Sequence, residues 1–330
     1  MFNCAKVTIH QSQFPESVRL ELLESLRTRQ LNHKFLYETF KQTQKWLALH
    51  RAYSPSRTDP ACAMVYQEGF VAIAKRLKGA RAHVIGLGCG GGQKDSTLLK
   101  VLSESGCKPV YTPSDVSVAM VLVARQAALE VIAEPECFPL VCDLSTTGDL
   151  APIFAGNGGD GSPRARVFTF LGMIPNFEPE VILPKLASLV QAGDYLLLSA
   201  NLAPGNNYRA GIERILPLYE NALTRDWLLT FLLDLGIEKA DGELRFVVED
   251  ASSTSQIKRI AAFFCFNDNR LIDVEGKPFE FYAGESMRLF FSYRHTPALV
   301  RTLLAEHGLN VIDQWITPSE EEGVFLVERA

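Results

Sequence analysis

Residues 83 to 96, HVIGLGCGGGQKDS, carry the strongest structural signal in this chain. A short apolar run ends in five glycines between Gly86 and Gly92, and a helical pattern, STLLKVLSES, begins at Ser96. Glycine lets the backbone turn tightly and lets a ligand approach it closely, and a helix start offers unpaired N–H groups to a polar or anionic group. The stretch therefore predicts a strand, a glycine turn and a helix that suit a nucleotide-containing cofactor.

Apolar runs typical of strands alternate with helical patterns from Ala82 to Asn201. Such alternation, with nearly continuous apolar strands, is typical of a parallel sheet covered by helices on both faces. The glycine-rich stretch AGNGGDGSPR, residues 155–164, interrupts the pattern and predicts a surface loop. At the other end of the chain, TPALVRTLLAEHG predicts a helix closed by Gly308, and VIDQWI and GVFLVERA predict a final strand pair.

Two further stretches predict a second lobe. Residues 12–50 have helical spacing, and residues 206–236 form a long helical stretch that Pro217 is expected to break. LRFVVED, IKRIAAFFCFND and residues 279–293 follow as strands, which we expect to be antiparallel. We expect residues 50–60, HRAYSPSRTDP, to form a turn-rich linker. The architecture predicted from these patterns is an open α/β sheet domain with an extra lobe.

The composition is that of an ordinary globular protein, with 330 residues, 47% of them hydrophobic and 22% charged. The formal net charge of −5 argues against nucleic acid as a main partner, because phosphate binding favours a basic surface. No apolar run is long enough to span a bilayer, and the start of the chain lacks the pattern of a signal peptide. The seven cysteines are scattered without zinc spacing, so we expect reduced thiols, no metal and a cytoplasmic location.

Two acidic residues end strands beside the glycine turn. Asp115 stands where a carboxylate accepts bonds from ribose hydroxyls, in NAD sites and in S-adenosylmethionine sites alike, although it could instead cap the next helix. Asp143 follows the third strand, where methyltransferases often place an acid against adenine, with a turn residue as its alternative. Because Gly86, Gly88 and Gly91 also match GxGxxG, an NAD-dependent oxidoreductase is an alternative. The closing strand pair favours a methyltransferase topology.

Four segments together resemble the histidine-specific S-adenosylmethionine-dependent methyltransferases of ergothioneine biosynthesis, whose wider family includes fungal amino-acid N-methyltransferases. They are GLGCGGGQKDSTLLKVL, YTPSDVS, VFTFLGMIPNFEPE and GESMRLFFSYRHTP, the last followed by Trp315. The similarity runs from about residue 30 to the end. It implies a Rossmann-like S-adenosylmethionine-dependent methyltransferase domain, residues 61–202 plus 292–330, and a second, smaller α+β substrate lobe, residues 1–60 plus 203–291.

The resemblance implies S-adenosyl-L-methionine as the cofactor and assigns residues to it. From the methionine part to the adenine, these are Gly88, Cys89, Gly90, Lys94, Asp115, Asp143 and Leu144. Reasoning from the residues alone agrees at Gly88, Gly90 and Asp115. It says nothing of Lys94, whose alternative is a solvated lysine in the first turn of a helix.

The resemblance is thinner on the substrate side. The asparagine that binds the amino-acid substrate maps to Asn176, which could also cap the following helix. A glutamate and a serine that hold the imidazole ring map to Phe290 and Ser292. Phenyl in place of carboxylate suits an apolar or aromatic group and leaves an imidazole N–H without its partner.

Two tyrosines of the family are also displaced. One maps to Ser54, beside Tyr53, and the other falls near Ile212, where Tyr208 is close enough to replace it. These departures predict a small-molecule amino acid or amine other than free histidine, with an aromatic or thioether side chain favoured. A general base is optional for methyl transfer, and we assign no catalytic residue. A histidine Nα-methyltransferase and an inactive S-adenosylmethionine-binding protein remain alternatives.

Overall fold

The computed structural model describes residues 4–156, 165–250 and 257–330. The chain divides into two compact units, each assembled from separate stretches of sequence. Unit 1 contains Met1–Gln13, Pro55–Leu202 and His295–Ala330, and unit 2 contains Phe14–Ser54 and Ala203–Arg294.

The elements are numbered here in chain order over the described residues. Strands β1 to β13 are Thr8–Ile9, Arg81–Leu87, Lys108–Asp115, Leu140–Val141, Ala165–Leu171, Tyr195–Asn201, Gly242–Asp250, Lys258–Phe266, Arg270–Val274, Lys277–Phe281, Ser286–Arg294, Leu309–Ile316 and Glu322–Arg329. Helices α1 to α11 are Pro15–Thr28, Phe40–Tyr53, Pro55–Thr58, Pro60–Arg76, Gln93–Glu104, Val118–Ala128, Leu150–Gly156, Pro179–Leu189, Tyr208–Ile215, Ala222–Asp234 and Pro297–Ala305. No helix among them is long and apolar enough to cross a membrane.

An eight-stranded sheet in the order β1-β4-β3-β2-β5-β6-β13-β12 forms the framework of unit 1. The strands from β1 to β6 pair in parallel, whereas β13 is antiparallel to both of its neighbours. The chain runs outward from β2 through β3 to β4, then returns to add β5 and β6 on the other side. Ligands of open α/β sheets bind at the carboxyl ends of the strands where the order reverses, and the glycine turn after β2 lies at that point.

The sheet of unit 1 is buried on both faces. Consecutive residues of a strand point to opposite faces, and residues on each face lie in a hydrophobic cluster. Ile85 and Leu198 pack into a cluster with residues of α8 and α11, while Val84 and Leu197 pack on the other side with residues of α4 and α5. This explains why the strands read as continuous apolar runs and not as an alternating pattern.

Unit 2 has its own hydrophobic core. An antiparallel sheet, β11-β8-β7, and the hairpin of β9 and β10 are joined by helices α1, α2, α9 and α10. Phe264 of β8 and Leu228 of α10 lie in this core, and the Trp227 indole N–H donates to the Leu36 carbonyl at 2.9 Å. The predicted break at Pro217 is confirmed, since α9 ends at Ile215 and a 3-10 turn follows.

Residues 50–60 are largely helical, so the predicted turn-rich linker is wrong. Helix α2 continues to Tyr53, α3 forms a single turn, and Asp59 caps α4 by accepting from the Ala61 N–H at 2.9 Å. Pro55 and Pro60 each stand at the first position of a helix, where a missing N–H costs nothing. These prolines start helices and do not mark a loop.

The predicted limits of three other features also change. Strand β4 is only two residues long, because a turn at Asp143 follows it directly. Residues 1–13 and 55–60 belong to unit 1 and not to the second lobe, whereas residues 292–294 belong to unit 2 and not to the cofactor domain. Strand β1 pairs with β4 in the main sheet. The first two residues of the predicted loop at 155–164 end α7, and the rest lies outside the described residues.

Candidate cofactor and substrate residues

The glycine turn after β2 is built from left-handed backbone conformations. Gly88, Gly90 and Gly92 have φ angles of 68°, 50° and 69°, which side chains rarely tolerate. The Cys89 N–H donates to the Ser114 carbonyl at 2.9 Å, which fixes the turn against β3. Burial raises the pKa of the Cys89 thiol well above its usual value, so this residue offers its backbone and not a thiolate.

The left-handed φ angle favours glycine at Gly88 and Gly92, and at Gly92 close packing against backbone excludes a side chain as well. A Cβ on Gly88 would lie 2.4 Å from the Met173 methyl carbon, and a Cβ on Gly92 would lie 2.5 Å from the Ala124 Cα. The first contact brings the loop after β5 against the turn, and the second allows α5 to pack closely against α6. Gly88 therefore keeps its backbone free of a side chain at the carboxyl edge of the sheet.

Asp115 ends β3 and binds the glycine turn. Its carboxylate accepts from the Gly90 N–H and the Ser117 N–H, both at 3.1 Å. The alternative role as a helix cap is wrong, because Ser117 caps α6 through the Met120 N–H. Burial raises the pKa of Asp115 to about 6 despite these bonds, since desolvation disfavours the charged form.

Asp143 and Leu144 follow β4 at the same edge. The Asp143 carboxylate accepts from the Ser145 N–H at 2.8 Å, which makes the turn that the sequence offered as its alternative role. The Asp143 N–H donates to the Ser12 hydroxyl at 2.9 Å, and Leu144 is buried. Ser12 reaches this edge from the N-terminal segment of unit 1, and no local sequence pattern predicts its proximity.

A buried carboxylate supports the turn from beneath, and sequence reasoning missed it. Asp95, in the first turn of α5, accepts from the Tyr111 hydroxyl at 2.6 Å and from the Thr169 hydroxyl at 2.8 Å. A Cβ on Gly86 would lie 2.4 Å from an Asp95 oxygen, so glycine is needed there too. Burial raises the pKa of Asp95 to about 6. The signal was an acid in the first turn of a helix directly after the glycines.

Lys94 is held by other side chains, so the solvated alternative is wrong. Its Nζ donates to the Tyr66 hydroxyl at 2.6 Å and lies 4.1 Å from the centre of that ring. The Glu322 carboxylate is 3.8 Å away, and only 21% of the lysine side chain is exposed. Tyr66 and Glu322 are further residues of this edge that sequence reasoning missed, because both lie far from Lys94 in the chain.

These features of unit 1 fit a nucleoside-containing cofactor. Gly88 presents backbone without a side chain, Asp115 ends β3 with a carboxylate of the kind that can accept from ribose hydroxyls, and Lys94 places a cation at the start of α5. An antiparallel β13 between β6 and β12 is the strand arrangement expected for a methyltransferase. The sequence matches the family described as histidine-specific, S-adenosylmethionine-dependent methyltransferase over residues 18–329.

The chain belongs to that family. It is thus an enzyme of the S-adenosylmethionine-dependent methyltransferase class, with a Rossmann-like α/β fold and S-adenosylmethionine as its cofactor. The resemblance read from the four sequence segments is confirmed, and the oxidoreductase alternative is wrong.

Similar solved structures share little sequence with this methyltransferase, and no curated protein matches it. The S-adenosylmethionine-dependent methyltransferase SibL is 13% identical, with 97% of this chain and 72% of that chain covered and a TM-score of 0.46. The 1,6-didemethyltoxoflavin-N1-methyltransferase of Burkholderia thailandensis is 11% identical, with 87% of each chain covered and a TM-score of 0.41. CalS10, an amino pentose methyltransferase from Micromonospora echinaspora, is 12% identical, with 89% of this chain and 99% of that chain covered and a TM-score of 0.40.

Asn176 lies in unit 1, in a 3-10 turn that follows β5. The alternative role of Asn176 as a helix cap is wrong, because Glu178 is the residue that precedes α8, and Pro179 begins the helix. Asn176 instead ends the 3-10 turn, with its N–H donating to the Met173 carbonyl at 3.0 Å. Pro175 is buried within this turn, consistent with a stiff loop.

Phe290 and Ser292 lie on β11 in unit 2, next to an irregularity between Arg288 and Phe290. Phe290 is 7% exposed and belongs to the core cluster. Its ring stacks on His33 with centroids 5.1 Å apart, and meets the rings of Trp227 and Tyr219 at 5.7 and 6.3 Å. No carboxylate stands at this position in the methyltransferase.

Ser292 is buried and takes part in a polar chain within unit 2. The Tyr219 hydroxyl donates to the Ser292 hydroxyl at 3.0 Å and accepts from the Arg294 guanidinium at 2.7 Å. Phe290, Ser292 and Arg294 are spaced by two along β11, so their side chains leave the same face of the strand. Tyr219 was not predicted; it is partly buried and ends the 3-10 turn that follows α9.

The other substrate candidates of unit 2 differ in their surroundings. The Tyr208 hydroxyl donates to the Arg294 carbonyl at 2.5 Å and accepts from the Lys258 N–H at 2.9 Å, so it joins α9 to β8 and β11. Tyr53 ends α2 and is 53% exposed, while Ile212 is fully buried. Three other aromatic residues of this region differ in their surroundings: Phe281 stacks on Phe266 in the core, Tyr282 is exposed, and Phe291 lies against His33.

Proposed function

We propose that the methyl acceptor is a small amino acid or amine with an aromatic or thioether side chain, and not free histidine. The observation that carries this proposal is Phe290, which stands where the resemblance puts the glutamate of the histidine-binding pair. Its aromatic neighbours His33, Trp227 and Tyr219 support an apolar environment around it.

The energetic argument concerns the imidazole N–H of histidine. Without a carboxylate it would enter a buried site and lose its hydrogen bonds to water, which typically costs about 1–3 kcal/mol. Phenyl also occupies volume that the carboxylate and the imidazole would otherwise share. An apolar or aromatic side chain gains from contact with the same ring, because buried aromatic pairs are favourable.

S-adenosylmethionine supplies the electrophilic methyl group. The protein has to align the acceptor atom with it, and alignment alone accounts for a large part of the rate gain in such displacements. An amine acceptor must be neutral when it attacks, so an apolar surrounding without a carboxylate favours its reactive form. A thioether carries no proton and meets the same requirement. We infer that Asn176 holds the amino-acid end of the acceptor, as the resemblance implies.

Turnover of an amino-acid panel tests this proposal. We expect tryptophan, tyrosine or methionine to be methylated with a higher kcat/KM than histidine. Phe290→Glu and the neutral Phe290→Gln should shift selectivity toward histidine, by about tenfold for a recovered hydrogen bond. Phe290→Leu is the matched control, because it changes the ring without adding a polar partner, and it should leave histidine a poor substrate.

Two results would contradict the proposal. Methylation of histidine by the wild-type enzyme at a kcat/KM above that for the other three amino acids would restore histidine as the substrate. Binding of S-adenosylhomocysteine without turnover of any amino acid or amine in the panel would instead favour a cofactor-binding protein without catalytic activity.

A further inference from the structure

A buried polar cluster in unit 1 lies at the sheet edge that carries the glycine turn. Tyr66 of α4 and Glu322 at the start of β13 are 3% and 7% exposed. Ser199 is near the carboxyl end of β6, and Glu322 pairs with Asn201 at that same end. Lys94 completes the cluster from the first turn of α5. Four elements that are distant in sequence thus bring one carboxylate, one ammonium and two hydroxyls together.

The hydrogen-bond donors and acceptors of the cluster fix its proton arrangement. A carboxylate only accepts, so the single Tyr66 hydroxyl proton goes to Glu322, which the hydroxyl contacts. The Tyr66 oxygen then accepts from Lys94 at 2.6 Å and from Ser199, whose oxygen is 2.7 Å away. Burial, with Glu322 as the next cause, raises the pKa of Tyr66 well above its usual value, so the phenol stays protonated.

Lys94 is the most exposed member of the cluster and lies at the sheet edge that carries the glycine turn. Its side chain is 21% exposed, against 9% for Glu322. A Cβ on Gly172, in the loop after β5, would lie 3.9 Å from Lys94 Nζ. An ammonium has three donors, and within the described residues Tyr66 accepts one of them at 2.6 Å, whereas Glu322, at 3.8 Å, forms an ion pair too long for a hydrogen bond. Donor capacity therefore remains toward the edge where the glycine turn lies.

We propose that Tyr66 and Glu322 are positioning residues that hold the Lys94 ammonium in place to bind the carboxylate of the cofactor's amino-acid part. A lysine side chain alone has four rotatable bonds and loses about 2 kcal/mol of rotamer entropy when fixed. The two buried groups fix it before the cofactor arrives, so less of that entropy is lost on binding. This inference rests on the S-adenosylmethionine dependence of the family and not on the identity of the methyl acceptor.

Two ligands that differ in the amino-acid part separate this role from general stability. S-adenosylhomocysteine carries the carboxylate, and 5′-methylthioadenosine keeps the adenosine and thioether without it. We expect Lys94→Met, Tyr66→Phe and Glu322→Gln each to weaken the binding of S-adenosylhomocysteine by about tenfold, the usual effect of losing a charge-assisted hydrogen bond. The Kd of 5′-methylthioadenosine, measured by calorimetry on the same proteins, should change less than twofold.

A double variant tests whether Glu322 acts through Lys94. Glu322→Gln in the Lys94→Met background should weaken S-adenosylhomocysteine no further, whereas independent effects would multiply. Tyr111→Phe is the matched control, because it also removes a buried tyrosine–carboxylate bond of unit 1. It should leave the ratio of the two Kd values unchanged. Should Tyr66→Phe or Glu322→Gln fail to fold, Ser199→Ala tests the same cluster with its charges in place.

The proposal is overturned if Tyr66→Phe and Glu322→Gln weaken both ligands equally, or weaken neither. It is also overturned if the effects of Glu322→Gln and Lys94→Met multiply. Because no methyl acceptor is present in these measurements, their failure would leave the proposed acceptor specificity untouched.

Discussion

Asp115 is a weaker acid than a surface aspartate, because burial at the end of β3 raises its pKa to about 6. Ionised Asp115 accepts from Gly90 and can accept from ribose hydroxyls, while protonated Asp115 loses acceptor capacity. Cofactor affinity that depends on this carboxylate is therefore complete above about pH 7 and is lost as the pH falls through 6. Asp95, beneath the same turn, is affected by burial in the same direction.

We predict that S-adenosylhomocysteine binds about tenfold more weakly at pH 5 than at pH 7.5, since one pH unit below the pKa corresponds to one factor of ten. Asp115→Asn should bind more weakly at pH 7.5 and lose most of this dependence. Calorimetric Kd values from pH 5 to 8 test it, and an equally steep profile in Asp115→Asn would assign the dependence to other groups.

The stability of the protein without cofactor should depend on pH in the opposite direction. A carboxyl group whose folded pKa is raised holds its proton more tightly in the folded state than in the unfolded chain. Its contribution to stability is therefore present at about pH 4 and lost as the pH rises through 6. Thermal melting of wild type and Asp115→Asn should converge toward low pH if Asp115 is responsible.

Asn176 is a second residue for which the structure changes the expectation. Because it does not cap α8, removing its amide should cost little through the helix end. We predict that Asn176→Ala raises KM or lowers kcat by about tenfold, as expected for one lost hydrogen bond to the acceptor. Steady-state kinetics with the best acceptor of the panel would measure this.

Asn221→Ala is the matched control for that variant. Asn221 does cap a helix, since its side chain accepts from the Thr224 N–H at 2.9 Å at the start of α10. Its loss should lower the free energy of unfolding by about 0.5–2 kcal/mol without changing KM. Wild-type kinetics in Asn176→Ala would remove Asn176 from the substrate residues.

At the scale of elements, the strand–turn–helix segment formed by β2, the glycine turn and α5 could be predicted from the sequence because its signals are local. The apolar run, the glycines and the helical pattern are adjacent, and each requires a conformation that few other residues adopt. The prediction of a turn-rich linker at residues 50–60 was wrong because its local signals fit two different structures. Proline and serine are common both in loops and at the first positions of helices, and only the cap at Asp59 distinguishes the two.

Gly88→Ala tests the element-scale role of the turn. Two effects add there: a left-handed conformation, which costs about 1–2 kcal/mol with a Cβ, and a collision with Met173. We predict a loss of stability larger than that range and at least tenfold weaker binding of S-adenosylhomocysteine. Thermal melting and calorimetry would measure both.

Gly79→Ala separates the two effects. Gly79 has a similar φ of 76°, but a Cβ there meets nothing within 4 Å. The loss of stability in Gly79→Ala should not exceed the cost of the left-handed conformation, about 1–2 kcal/mol, and the affinity for the cofactor should be unchanged. Met173→Ala combined with Gly88→Ala should recover part of the lost stability, because it removes the atoms that the new methyl group would meet. Equal losses in Gly79→Ala and Gly88→Ala would mean that the close contact is unimportant.

At the scale of the whole molecule, the two units are interleaved in sequence, and the chain leaves unit 1 after Gln13 and after Leu202. The sequence predicted two lobes because the pattern changes from parallel α/β alternation to helices followed by antiparallel strands. It placed the boundaries less well, since β1 is two residues long and has no hydrophobic pattern of its own. Pairing of β1 with β4 assigns the N-terminal segment to unit 1.

The sequence by itself determined the order of most strands and helices, the glycine turn, Asp115 and the family, because these depend on residues close together in the chain. Tertiary structure decided which distant side chains meet. Tyr66 contacts Glu322 across 256 positions, and Ser12 binds Asp143 across 131. Packing of the sheet edge brings such residues together, and no local pattern encodes it. The sequence around Lys94 is therefore compatible with a solvated lysine in a helix, whereas in the folded protein its ammonium contacts Tyr66 and Glu322.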